Sequence, residues 1–389
     1  MEGRLPRARP ARPAETRRVA EAGAPAASPL VWLVLGEKRG DNGQVEMLAD
    51  ALGWPCERRR IVMRGPWGVR KPRVRPSLRR VDLARSDPLE PPWPDVVITI
   101  GRRPSSVALW IREQSGGRTR LVLVGKPSGM LSRFDLVVVS SEIQMPALAN
   151  VLPIALPLMR ADPSRVATAR ESFAASLGAL PRPLIAMLVG GPTNPFVYDD
   201  SVVERLVTLS RDCVARGGTP FLTTSRRTPP EVVDALAARL PRGAHLYRFR
   251  PDASDNPYLG LLGTADGFIV TGDSISMQVE VVGLRRPLEI LPLPTTWLGG
   301  LDQLRRRLAR RLFAPAGPSP WSRLRAAVGR SLHRARLLHQ TRDFEAFHRR
   351  LFEHGLAAPA GHGMRSPERA VPDDVAEVVR RIRELSRPG

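Results

Sequence analysis

The run Thr271-Gly272-Asp273-Ser274-Ile275-Ser276-Met277-Gln278-Val279-Glu280 concentrates the groups that anion chemistry requires. A strand is expected to end at Thr271, a tight polar turn to follow at Gly272 and Asp273, and a helix to begin at Ile275. The free N–H groups and positive dipole end of such a helix attract negative charge. Ser274 and Ser276 add hydroxyl donors, and Met277 completes the first turn beside them. Glu280 lies further along, where a carboxylate can accept hydrogen bonds from a ribose diol. Reading Asp273 or Ser274 as a plain helix cap explains one residue of that type but not the cluster.

Three other segments would complete such a site. Thr223-Thr224-Ser225-Arg226-Arg227-Thr228-Pro229 places paired arginines between a strand and a helix N-terminus. Guanidinium groups match a pyrophosphate in shape and charge, although a solvated loop accounts for this segment equally well. Gly190 and Gly191 follow another strand and let a ligand approach the backbone closely. Asn256-Pro257-Tyr258 starts a helix, and Tyr258 reads either as a ring stacked on a base or as core.

In the first half of the chain the counterpart loop is Gly36–Gln44, with Glu37 and Asp41 as the candidate catalytic bases. A simple helix cap is the competing reading for Asp41. Gly40, Gln44, Gly101 and Arg102 fall on the same side and would meet an acceptor. A solvated turn competes at Gly101-Arg102.

Loops of this kind need a scaffold that brings strand ends together. Apolar runs at Leu30–Leu35, Asp95–Ile100, Leu121–Val124 and Phe134–Val139 alternate with helical spacing at Gln44–Leu52 and Ser105–Gln114. The alternation restarts at Leu184–Val189 and continues to Leu288–Leu291. Strands alternating with helices predict parallel sheets with crossover helices. Two such units give an α/β fold of two doubly wound, Rossmann-like domains facing a cleft.

The expected organisation is a disordered basic tail over residues 1–29 and an acceptor-side domain over 30–160. A linker with one helix (Ser164–Leu177) covers 161–183, and a donor-nucleotide domain covers 184–312. The helix read as Asp302–Arg311 falls at the end of that domain, and basic helices, read from Trp321–Phe352, extend over 313–355. A loose tail, 356–389, includes a short helix at Asp373–Ser386.

The 389 residues suffice for two cores. With 60 Lys and Arg against 38 Asp and Glu, the net charge is +22, which favours anionic partners. From Leu301 to Arg350 there are thirteen arginines and three acids. The basic stretch Arg58–Arg80, with Trp54 and Trp67, reads equally as an anionic-membrane face and as a flexible loop. No nucleic-acid recognition motif accompanies the charge, so a specific nucleic acid is not expected. Cys56, Cys213 and the six histidines form no metal-ligand spacing, and neither a disulfide framework nor a structural zinc is expected. Proline and charge interrupt Met1–Ser28, so a secretory signal is not expected there. A cytoplasmic protein, peripheral to the inner membrane, is expected.

Four segments together resemble the plant mitochondrial-fission "elongated mitochondria" family and its bacterial relatives, which look like GT-B glycosyltransferases. They are Gly36–Gln44, Phe134–Val138, Thr224–Pro229, and Thr271–Met277 with Glu280. Asn256-Pro257-Tyr258 and Asn150-Val151-Leu152 fit the same pattern, and the resemblance covers about Val31–Pro294. This chain differs in having Gly272 where an acidic residue is common before Asp273, and in its long basic C-terminal helices. The resemblance implies a GT-B-like fold and a nucleotide-sugar cleft that needs no metal and no other cofactor. Plant members are associated with recruiting fission machinery, and the bacterial relatives with sugar transfer. The expected function is a glycosyltransferase with a membrane-associated acceptor. The alternatives are a non-enzymatic membrane-surface adaptor and a nucleotide-sugar epimerase.

Overall fold

Five apolar runs, Val31–Leu35, Val96–Ile100, Leu136–Ser140, Leu184–Val189 and Gly267–Thr271, are buried at every position in the computed structural model. Burial on both faces is what makes a parallel strand read as a continuous hydrophobic run. The structure describes residues 28–65, 75–125, 131–251, 253–335, 337–338, 341–367 and 369–386. The expected tail up to residue 27, and Trp67, Arg70, Lys71 and Arg73 of the basic stretch, lie outside them.

The first sheet uses β1 (Val31–Leu35), β2 (Cys56–Arg60), β3 (Val96–Ile100), β4 (Arg120–Val124) and β5 (Leu136–Ser140). A short β6 (Ile143–Gln144) intervenes, and β7 (Val151–Ile154) closes the sheet in the order β2-β1-β3-β4-β5-β7. All of its pairings are parallel. Alternate residues of β1 face opposite layers, as strand geometry requires. Val31, Leu33 and Leu35 pack with helix α1 (Arg39–Leu52), while Trp32 and Val34 pack with α2 (Arg102–Gln114).

The linking segment forms two helices, α3 (Pro163–Ser172) and α4 (Ala174–Gly178), broken at Phe173 where a single helix was expected. The second sheet begins with β8 (Leu184–Val189), helix α5 (Asp200–Ala215), β9 (Thr219–Thr224), α6 (Pro230–Arg239) and β10 (His245–Tyr247). It continues through α7 (Tyr258–Thr264), β11 (Gly267–Thr271), α8 (Ile275–Gly283) and β12 (Leu288–Leu291). The linking helices lie tightly against α7: a methyl at Gly260 would sit 2.8 Å from the Phe173 ring.

Beyond β12 come α9 (Trp297–Phe313), α10 (Pro320–Arg334), β13 (Thr341–Arg342), α11 (Phe344–Glu353), β14 (Ala358–Pro359) and α12 (Val375–Leu385). The stretch read as one helix, Trp321–Phe352, is thus two helices separated by a strand. Asp343 is the reason for the break: its side chain accepts from Ala346 N–H and starts α11. In the tail region, 356–389, the expected short helix at Asp373–Ser386 is α12, and a strand, β14, precedes it. β14 pairs in parallel with β12 and completes the second sheet, in the order β10-β9-β8-β11-β12-β14. α12 crosses back to the first domain, where Val378, Val379 and Ile382 join the core under β1 and α1. A second crossing is made by β13, which pairs antiparallel with β6. There Gln144 Nε2 and Arg310 both donate to the buried Asp343 carboxylate.

Both domains are doubly wound parallel-sheet units, the GT-B-like arrangement in topology. Their strand orders reverse at defined places, β1/β3 in the first and β8/β11 in the second. In open α/β sheets ligands collect beyond the carboxyl ends of strands at such reversals.

Candidate functional site

The loops after β8 and β11, one on each side of the second reversal, are locked to each other. Gly190 N–H donates to Thr271 Oγ1 at 2.8 Å and Gly191 N–H to Asp273 Oδ2 at 3.1 Å. Asp273 is buried, and its carboxylate also accepts from the Tyr198 hydroxyl at 2.5 Å, Thr271 Oγ1 at 2.9 Å and Ser274 Oγ at 3.1 Å. Arg227 Nη2 completes the set at 3.2 Å. Burial, then the charge of Asp273, push the Tyr198 phenol well above its usual range, so it stays a donor.

This packing explains the glycines. A methyl on Gly190 would lie 2.1 Å from Ser274 Oγ and 2.4 Å from Asp273 Oδ2, and one on Gly191 only 2.2 Å from the Arg227 carbonyl oxygen. Neither distance is compatible with a side chain. The third loop, after β9, is fastened to the same hub. Thr228 Oγ1 contacts the Gly190 carbonyl at 2.5 Å and accepts from Ser225 N–H at 2.8 Å, while Ser225 Oγ accepts from Arg227 N–H at 3.2 Å. Arg227 also donates to Thr193 Oγ1.

Gly190, Gly191, Ser225, Arg227, Thr228, Gly272, Asp273 and Ser274 therefore form one cluster. Within it Asp273 turns inward: its oxygens are occupied by protein donors, and it ties the loops together. Ser274 stands at the cap position of α8 but makes no side-chain cap bond, since its hydroxyl is given to Asp273. Ser276 is half-buried in the first turn of α8, and Met277 packs against the apolar core. Arg226 is exposed and makes no ion pair among the described residues.

Glu280 and Tyr258 meet separately, further along α8, where the Tyr258 hydroxyl donates to Glu280 Oε2. Asn256 Oδ1 accepts from Tyr258 N–H at 3.0 Å and sets the start of α7. Burial raises the Glu280 carboxyl, opposed by the Tyr258 hydrogen bond, and burial likewise drives the Tyr258 phenol upward.

Sequence reasoning missed Tyr198 and His348, and read Thr271 only as the end of a strand. Tyr198 precedes α5 and carries no motif, and only the fold brings it to Asp273. His348 comes from α11, far along the chain. Its Cε1 lies 3.1 Å from where a methyl on Gly272 would stand, so the imidazole borders the Gly272-Asp273 turn. Burial lowers its pKa to about 4, opposed by the Gly272 backbone, and Nε2 is buried with no partner among the described residues.

The first domain gathers its own predicted residues at the β1/β3 reversal. Gly101 has φ +80°, and a methyl there would be 3.7 Å from Asp41 Oδ2. Asn42 Nδ2 donates to the Gly36 carbonyl at 2.8 Å, closing the loop. Glu37 is exposed and ion-paired with Arg103 at 3.2 Å. Gly40 is exposed, Gln44 is half-buried on α1, and Arg102 opens α2, its pKa lowered by burial. Each hydrogen bond and ion pair named here joins residues of one domain, and none of those named links the first-domain group to the second-domain group. No grouping of three or more His, Cys, Asp or Glu suited to a metal occurs among the described residues, and no helix there is long and apolar enough to cross a membrane.

Residues 39–314 match the family model described as Mitochondrial fission ELM1. The chain is 26% identical over 233 residues to the mitochondrial fission protein ELM1 of Arabidopsis thaliana, covering 54% of this chain and 54% of that protein. It is 22% identical over 236 residues to an uncharacterised protein of Rickettsia prowazekii (strain Madrid E), covering 52% of this chain and 65% of that one. The match thus spans between about half and two thirds of these relatives' lengths. Among solved structures, a glycosyltransferase from Rickettsia africae ESF-5 aligns with TM-score 0.39 and 10% identity, covering 84% of this chain and 97% of that one.

Proposed function

We propose that this chain, which belongs to the mitochondrial fission ELM1 family, binds a nucleoside diphosphate-sugar in its second domain and transfers the sugar to an acceptor brought by the first. The observation that carries the reading is the Asp273 hub. Three loops at one sheet reversal are clamped together by a buried carboxylate, while Arg226 beside them stays uncommitted.

The diphosphate would lie against the first turn of α8, near Ser274, Ser276 and the Gly190-Gly191 backbone. Arg226 and Arg227 would neutralise the charge that grows on the departing nucleoside diphosphate as its bond to the sugar breaks. Glu280 would hold the ribose diol with the oxygen that Tyr258 leaves free, and Tyr258 would position it. An acceptor hydroxyl would enter from the Gly36–Gln44 and Gly101-Arg102 loops, across a cleft between the domains. Asp41 is the better-sited base, because Glu37 is already paired with Arg103. Orientation and charge stabilisation would supply most of the rate. The reading needs no metal. We further propose a cytoplasmic protein that works at the inner-membrane surface.

The test is a thermal-shift screen with uridine, guanosine and cytidine diphosphates and their sugars. Stabilisation by one base series, lost in Arg226→Ala, supports the reading. Equal shifts with inorganic pyrophosphate would reduce the site to a generic anion cradle. No shift with any of them would remove it. Product analysis then separates transfer from epimerisation.

A further inference from the structure

Helix α10 carries an apolar stripe that faces solvent. Trp321 is 79% exposed, Leu324 55% and Val328 41%. At 3.6 residues per turn these three fall on one face. The opposite face is occupied: Ala326 and Gly329 are buried, and a methyl on Gly329 would lie 2.3 Å from the Leu312 carbonyl oxygen of α9. The helix is therefore fixed with its stripe outward. Leu304 and Leu308, one turn apart on α9, and Leu337 just past α10 are exposed as well.

The charge on α10 is of one sign. Arg323, Arg325, Arg330 and Arg334 are its ionised side chains, and Pro320–Arg334 contains no Asp or Glu. None of the four arginines has a carboxylate partner among the described residues. Arg323 and Arg325 turn to backbone carbonyls of the preceding loop. On α9, by contrast, four of the five arginines, Arg305, Arg306, Arg307 and Arg310, are paired with Asp302, Asp343 or Glu345.

We propose that α10 is an interfacial helix that seats this chain on an anionic phospholipid bilayer. Trp321, Leu324 and Val328 enter the boundary between headgroups and acyl chains, and the four arginines, which have no acidic partner among the described residues, engage lipid phosphates. A stripe of Trp and Leu backed by arginines, on a helix too polar to span, is the composition that lies in a membrane interface. A second copy of the chain fits poorly. A two-fold pairing of this face would bring identical arginines together with no acid to separate them. The helix also lies beyond residues 39–314, the part shared with the family. The proposal is independent of the donor site and stands whether or not a nucleotide binds.

The experiment uses the full chain with sedimented vesicles of phosphatidylcholine alone or with phosphatidylglycerol. Binding to the anionic vesicles, weakened by salt, is expected. Each arginine of α10 changed to Gln should lower it about fivefold. Trp321→Ser with Leu324→Ser should lower it at least tenfold and abolish what remains in high salt. None of these positions is buried, although Arg325 and Arg330 are half-buried, so unchanged melting temperatures will certify the variants as folded. Three results would each overturn the idea: equal binding to both vesicle types, binding indifferent to the α10 changes, or a solution dimer that the Trp321→Ser, Leu324→Ser variant dissociates.

Discussion

Arg227 reaches the buried Asp273 carboxylate at 3.2 Å, whereas its neighbour Arg226 is exposed and unpaired among the described residues. Two adjacent residues of one type thus differ in their ties to the protein: Arg227 is held by the hub and Arg226 is not. Arg226→Ala should change stability by less than about 0.5 kcal/mol while removing the nucleotide-induced thermal shift. Arg227→Ala should lower the melting temperature and the shift together, because it frees Asp273 and Thr193. Melting curves with and without nucleoside diphosphate check both, and an Arg226→Ala protein that responds like the wild type would refute the division.

Gly190 and Gly191 are expected to tolerate no side chain. Gly190→Ala or Gly191→Ala forces the loops apart and should cost about 2–4 kcal/mol in urea unfolding. Gly43 on α1 has open space around its Cα, and Gly43→Ala should instead stabilise by about 0.5–1 kcal/mol. Similar values for all three would mean the loops are not packed as described.

His348 makes stability depend on pH in a defined window. Its pKa is lowered to about 4 by burial, against about 6.5 in an unfolded chain. The unfolded state therefore binds the proton first. The contribution is fully present above pH 6.5 and is lost as the pH falls through 4. His348→Gln should remove up to about 3 kcal/mol of that dependence. Urea titrations of both proteins between pH 4 and 7 measure it, and parallel curves would sink the assignment.

Glu280 is expected to read the sugar of a nucleotide. The wild type should prefer a ribonucleoside diphosphate to its 2′,3′-dideoxy analogue by roughly tenfold, about 1.4 kcal/mol. Glu280→Gln, which still accepts from Tyr258, should narrow that preference. Calorimetric titrations of the four combinations supply the comparison, and an undiminished preference in the variant would place the ribose elsewhere.

Much of this was legible from local pattern. The continuous apolar runs at Val31–Leu35 and Leu184–Val189 announced buried parallel strands, and the glycine loops after them fell at the sheet reversals. β2 was not legible, because Cys56-Glu57-Arg58-Arg59-Arg60 is polar. It is an edge strand, half exposed, and Arg59 lays its guanidinium 4.3 Å from the Trp32 ring. The part Asp273 plays in tying the loops together was not legible, since a sequence does not reveal that Tyr198 and Arg227 reach it. His348 was silent because helical spacing around Phe344, Phe347 and Leu351 accounts for the segment without it. Pairing partners distant in the chain leave no periodic trace.

The return of α12 to the first domain has a practical corollary for anyone dividing this polypeptide. Residues 31–154 expressed alone would expose the groove that Val378, Val379 and Ile382 fill, and such a fragment should aggregate. An excision meant to survive would have to graft the final helix onto its amino-terminal half. A protease nick anywhere between the lobes, by contrast, should leave both pieces clasped together.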